Sequence, residues 1–168
     1  MFKATIVNLD DRVIQFEEDT VMEDILKQVQ DELPYPIYLA KLDNAYRALT
    51  HRMTHDSEIE FLDLRNQQAW LVYQNSLTLI FIKAVHDVLG KNVLVTVNNS
   101  LNKGLYITST HKFNEQDIQN VSDRMRQIID ADMPIVKEHM TKEAARKLAR
   151  KQKLVEAIKL LDSITNID

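Results

Sequence analysis

The chain has 168 residues, 45% hydrophobic and 27% charged, with five histidines, no cysteine and a net charge of −4. That balance is ordinary for a folded protein, and the absence of cysteine excludes disulfides, thiolate catalysis and Cys-ligated zinc within the chain. With only Gly90 and Gly104 as glycines, there is no glycine-rich loop to cradle phosphates, no Walker motif and no dinucleotide fingerprint.

Residues 2–7 alternate Phe2, Ala4 and Ile6 against Lys3, Thr5 and Val7, the period of a half-buried strand. Asp10-Asp11 marks a turn, and Arg12 to Phe16 returns as the second strand of a hairpin. Thr20 and Glu23 have the spacing of a capping box, which predicts a helix opening at Thr20 with Val21, Ile25 and Val29 on one face. Pro34 and Pro36 stop that helix. Ile37 to Leu42 reads as a third strand and Ile59 to Leu62 as a fourth. Two strands, a helix and two strands within about 64 residues is the order of a ubiquitin-like β-grasp module.

After Leu64 comes a polar connector, Arg65-Asn66-Gln67-Gln68. Residues 73–89 predict a helix apolar on much of its circumference, stopped by Gly90. Asn92 to Val97 and Leu105 to Thr108 alternate as strands, joined through the Asn102-Lys103-Gly104 turn. Asn114 caps the next helix, with Asp117 in its first turn and Ile118, Val121, Met125, Ile128 and Ile129 on its apolar face. Asp132-Met133-Pro134 ends it. Ile135 to His139 reads as a third strand. Thr141 caps a final helix running to about Ile164, with Leu148, Val155, Ile158 and Leu161 inward.

Charge divides unevenly along this order. Residues 1–64 hold 6 Lys+Arg against 14 Asp+Glu, a net of −8, and residues 65–168 hold 15 against 11, a net of +4. Contact with a polyanion is therefore expected on the second module. The N-terminus lacks the basic start and apolar run of a signal peptide, and no stretch is long enough to span a bilayer. A cytoplasmic protein without membrane contact is the expectation.

Several short stretches, taken in order, resemble the N-terminal region of threonyl-tRNA synthetases, a TGS domain followed by the second additional domain that edits mischarged tRNA in that family. They are Thr20 to Ile25, Ser76 to Val85, Lys103-Gly104-Leu105-Tyr106, Phe113 to Ile118, Met125, Asp132 to Ile135 and Thr141 to Ala144. The resemblance implies an α+β fold: a TGS-like β-grasp domain at 1–64, then an α+β module at 69–168 like the threonyl/alanyl-tRNA synthetase editing domain. Three strands before a closing helix suggest that the second module is cut short. The family carries an HSxxH pair on the first helix of this module, two imidazoles one turn apart that serve one metal or one substrate. Here the matching residues are Asn75, Ser76 and Leu79, so both histidines are missing and the editing site is degenerate.

The same two modules also precede a P-loop kinase domain in some bacterial proteins of the phosphoribulokinase/uridine kinase family, where the editing histidines are absent. The first reading is accordingly a non-catalytic regulatory, ligand-binding or RNA-binding N-terminal region of a uridine-kinase-like protein. In that reading the partner is a C-terminal, ATP-dependent nucleoside kinase domain of the parent chain. The alternative is the N-terminal tRNA-contacting region of a threonyl-tRNA synthetase-like protein. Neither reading assigns a catalytic, cofactor-binding or metal-binding residue to the chain.

Other candidate residues are few. His51 and His55 form HxxxH, with Asp56 as a third ligand if they bind metal, or belong to a solvated loop if they do not. His86, His111 and His139 stand alone, and no Ser, His and carboxylate lie close enough in sequence to suggest a triad. Arg146, Arg150 and Lys153 share a face of the predicted last helix at i, i+4, i+7 spacing, which suits a phosphate backbone such as RNA offers, or a solvated helix face. Tyr35, Tyr38, Tyr46, Trp70 and Tyr73 suit either inter-module packing or a surface for a nucleotide ligand.

Overall fold

A computed structural model describes residues 1–101 and 104–164. The chain is a mixture of helices and strands and divides into two compact units, Met1–Asn75 and Ser76–Asp168.

In the first unit, β1 (Phe2–Ile6) and β2 (Arg12–Phe16) form an antiparallel hairpin in which Ala4 faces Ile14. Asp10 and Asp11 both have positive φ, at 51° and 56°, a conformation that short polar side chains tolerate in a tight turn. Next come β3 (Thr20–Val21), the short helix α1 (Met22–Lys27), β4 (Leu39–Leu42), β5 (Ala45–Arg47), β6 (Arg52–Met53) and β7 (Ser57–Leu62). The five-stranded sheet runs β2-β1-β7-β4-β5. β1 and β7 are parallel, whereas β4 is antiparallel to both of its neighbours. The period-2 pattern places Ala4, Ile6, Ile14, Phe16, Ile59 and Phe61 on the face covered by Met22, Ile25, Leu26 and Val29. Met22, Ile25 and Ile59 are wholly excluded from solvent.

The helix after β2 differs from expectation. Thr20 does not cap it: its backbone pairs with Met53 in the β3–β6 ladder, and its hydroxyl donates to the Glu17 carbonyl at 2.7 Å. Val21 is the N-cap instead. The free N–H groups of Met22 and Glu23 donate to the carbonyls of His51 and Leu49, each at 2.9 Å. Backbone carbonyls of a neighbouring segment have taken the place of the capping box. Strands β3, β5 and β6 were not expected. The β4–β5 hairpin turns at Asp43-Asn44, both with positive φ, so its signal was present in the sequence.

α2 (Gln67–Leu89) begins six residues before the predicted start and takes in part of the polar connector. Asn66 opens it, its side-chain oxygen accepting from the backbone N–H of Gln68 at 2.9 Å. Gly90 ends it at φ 94°, which glycine adopts without the Cβ penalty. β8 (Val95–Leu101) and β9 (Gly104–Ser109) form an antiparallel pair with a register shift between Asn98 and Ser100. The expected turn at Asn102-Lys103 lies outside the described residues, as does the side chain of Val155. α3 (Glu115–Asp130) carries the expected Asn114 cap as a complete capping box with Asp117. Ala84 and Val85 of α2, Val95 of β8 and Val121 and Ile128 of α3 form the core of this unit. Ile118 and Ile129 were expected on the same face but are 58% and 52% exposed.

Two further expectations fail. Residues 135–139 form no strand: they carry no regular secondary structure, are exposed and have no ladder partner among the described residues. The last helix is two: α4 (Lys142–Gln152), capped by Thr141 as expected, and α5 (Val155–Ser163). Lys153 breaks them apart in the left-handed conformation, φ 59° and ψ 35°. The Leu154 N–H then closes on the Ala149 carbonyl at 2.9 Å, the six-to-one bond of a Schellman stop. No helix among the described residues is long and apolar enough to cross a membrane.

Candidate functional site

A cavity of about 480 Å³ in the second unit opens where α2, β9 and α3 meet. Its apolar lining comes from Phe81 of α2, Ile107 of β9, Phe113, and Ile118, Val121 and Met125 of α3. Three polar side chains also line it: Ser109, His111 and Ser122.

The polar rim is built by the link from β9 to α3. The backbone N–H of His111 donates to Ser109 Oγ at 3.1 Å. The His111 ring meets Phe113 edge-on, centroids 5.6 Å apart. His111 Nε2 lies 2.9 Å from Asp117 Oδ2. Asp117 Oδ2 also accepts the Asn114 N–H at 3.1 Å, while the Asp117 N–H donates to Asn114 Oδ1 at 2.8 Å. The hydrogen bond from His111, joined by that of the Asn114 backbone, holds the Asp117 carboxyl below the usual carboxylate range. An ionised carboxylate only accepts, so Nε2 donates, and in the neutral tautomer Nδ1 is left as an acceptor. The sequence reading set His111 aside as solitary; the fold pairs it with a carboxylate six residues on, beside two serines.

A second polar knot fixes α2 to α3. Asp87 accepts from Lys83 Nζ at 3.0 Å, from Arg124 Nε at 2.9 Å and from Arg124 Nη2 at 2.8 Å. Burial acts to raise the Asp87 carboxyl, and the bonds from Lys83 and Arg124 outweigh it, leaving it below its ordinary value.

Asn75, Ser76 and Leu79 all lie on α2. Asn75 and Leu79 are exposed, and Ser76 is half-buried. Arg146 and Arg150 lie on α4, but Lys153 is beyond its end, so the predicted i, i+4, i+7 face is not continuous. Arg146 pairs with Asp162 of α5, and its Nε is buried without a partner among the described residues. Arg150 and Lys153 are exposed. His55 Nε2 contacts Asp43 Oδ2 at 3.3 Å. Among the described residues, no three His, Asp or Glu side chains converge in a way that would hold a metal ion. Tyr38 and Trp70 both pack on Tyr73, with centroids 5.2 and 6.0 Å away, and Arg65 stacks over Tyr35 at 4.3 Å. These contacts fall within the first unit, and Tyr46 is exposed on β5.

No family model matches the chain. It is similar to the threonine–tRNA ligase of Syntrophotalea carbinolica, 26% identical over 163 residues, which cover 93% of this chain and 25% of the relative. It is also similar to the threonine–tRNA ligase of an Exiguobacterium species, 23% identical over 95% of this chain and 25% of the relative. With that of Thermotoga petrophila the identity is 28%, over 62% of this chain and 17% of the relative. The chain spans about a quarter of the length of the first two of these curated relatives. The relatives' names overturn the uridine-kinase-like reading: they are threonine–tRNA ligases. What the comparisons support is a likeness to the N-terminal region of threonyl-tRNA synthetases.

Proposed function

We propose that the chain is the N-terminal, tRNA-contacting region of a threonyl-tRNA synthetase-like protein with a degenerate editing site. The observation that carries this reading is the similarity to threonine–tRNA ligases over more than nine-tenths of the chain. Residues 1–64 act as a TGS-like β-grasp domain. Support comes from the five-stranded order, in which the first and last strands lie parallel at the centre and a helix covers one face. Residues 69–168 act as the editing-domain-like module. At the positions of the family's histidine pair, Asn75 and Leu79 offer an amide and an alkyl group, neither of which can serve as a general base.

RNA contact in this reading falls to Arg146, Arg150 and Lys153 on the cationic second half. Fluorescence anisotropy with labelled tRNA tests it. Three phosphate contacts at roughly 0.7 counterion each predict a log affinity against log salt slope of about −2. The triple variant Arg146→Glu, Arg150→Glu, Lys153→Glu is expected to abolish binding to every tRNA tried, because phosphate contacts position without reading sequence. Salt-insensitive binding, or binding unchanged in the variant, overturns the interface. Hydrolysis of mischarged tRNA by the chain overturns the degenerate site.

A further inference from the structure

We propose that the cavity between α2, β9 and α3 is a binding site for a compact, neutral, largely apolar molecule of aromatic size bearing one hydroxyl or N–H donor, accepted by His111 Nδ1. Its volume of about 480 Å³ lies in the range of small-molecule pockets, roughly 300–1,000 Å³. Its floor is apolar, and the side chains at its mouth, Ile107 and Ile118, remain 45% and 58% exposed. Covering them removes apolar surface from water.

The polar chemistry of the rim selects the ligand. His111 Nε2 is committed to Asp117, and Nδ1 makes no hydrogen bond among the described residues. The Ser109 oxygen already accepts the His111 N–H. Beside the Ser109 and Ser122 hydroxyls, the neutral ring therefore offers one free acceptor, Nδ1, next to the Asp117 carboxylate held at Nε2. A ligand carboxylate would meet no Lys or Arg in the lining, and the nearby Asp117 charge disfavours it. A ligand cation would lose its hydration in a cavity that no carboxylate lines. A neutral donor satisfies Nδ1 without burying new charge. This assignment does not depend on the tRNA reading, since no residue in it belongs to the proposed RNA contact or to the degenerate editing positions.

The test uses 2-naphthol and 2-methylnaphthalene, which match in size and differ in the donor. Methyl NMR of the full chain is expected to show both probes shifting Ile107, Ile118, Val121 and Met125, with 2-naphthol binding about fivefold more tightly, the value of one neutral hydrogen bond. His111→Gln keeps a donor where Nε2 sits, preserving the bond to Asp117, but removes the acceptor at the Nδ1 position. It is expected to erase the preference and leave 2-methylnaphthalene binding unchanged, which also serves as its folding control. Ile118→Trp, at an exposed position, is expected to block both probes. Shifts confined to other methyls, equal affinities for the two probes in the wild type, or a preference that survives His111→Gln would each overturn the proposal.

Discussion

The break between α4 and α5 provides a test in which the sign of the effect decides. Lys153 holds a left-handed conformation at φ 59°, where its Cβ crowds the following carbonyl at a cost of about 1–2 kcal/mol. Lys153→Gly removes that crowding. Glycine also gains freedom in the unfolded chain, which offsets about 0.4–1 kcal/mol. The net is a stabilisation of about 0.5–1 kcal/mol. Had the helix run unbroken through residue 153, as the apolar spacing suggested, the same substitution would place glycine in a helix interior and cost about 0.8 kcal/mol. For a unit of this size, 1 kcal/mol moves Tm by about 4–8 °C. Thermal unfolding followed by circular dichroism should therefore show a rise of about 2–8 °C. A fall of similar size would refute the left-handed stop at Lys153 and restore one continuous helix.

Ile59→Ala empties a wholly buried position in the central strand and is expected to cost about 2–4 kcal/mol, read as a lower urea midpoint with little change in slope. Asn114→Ala removes the acceptor for the Asp117 N–H and should cost about 1 kcal/mol in the same assay. Asp87 has a folded pKa below its ordinary value, so its contribution is fully present above the unfolded carboxylate pKa, about 3.9, and is lost as pH falls through the folded value. Acid titration of stability should show that loss below about pH 4, and Asp87→Asn should flatten it.

The parts of the fold that local chemistry specifies were legible. The β1–β2 hairpin follows from alternation around Asp10-Asp11, and Asn114, Gly90 and Thr141 mark helix ends by residue type alone. Where longer-range partners decide, the sequence misled. Thr20 and Glu23 match a capping box, but pairing with Met53 claims Thr20 and the carbonyls of Leu49 and His51 supply the acceptors. Ile135 and Val136 have strand propensity but no strand beside them, and at 56% and 70% exposed they show that propensity alone does not make a ladder. The cavity was illegible for a related reason. Its walls come from one strand and two helices, and the His111–Asp117 pair bridges a strand exit and a helix entry, where no periodicity links the two.

The parallel pairing of β1 with β7 also orders events during synthesis. Ala4 lies opposite Ser57, and the Asn8 side chain extends the seam by donating to the Phe61 carbonyl at 2.9 Å, across 53 residues of chain. The β1–β2 hairpin is made first, yet the partner that completes the centre of its sheet leaves the ribosome last. At about 5–20 residues per second, the open edge of β1 waits for several seconds. An exposed strand edge is a template for wrong partners, and here it is guarded only by neighbours not yet made. Slowing translation between Phe16 and Ser57 should therefore raise misassembly of the first unit while leaving its final stability unchanged.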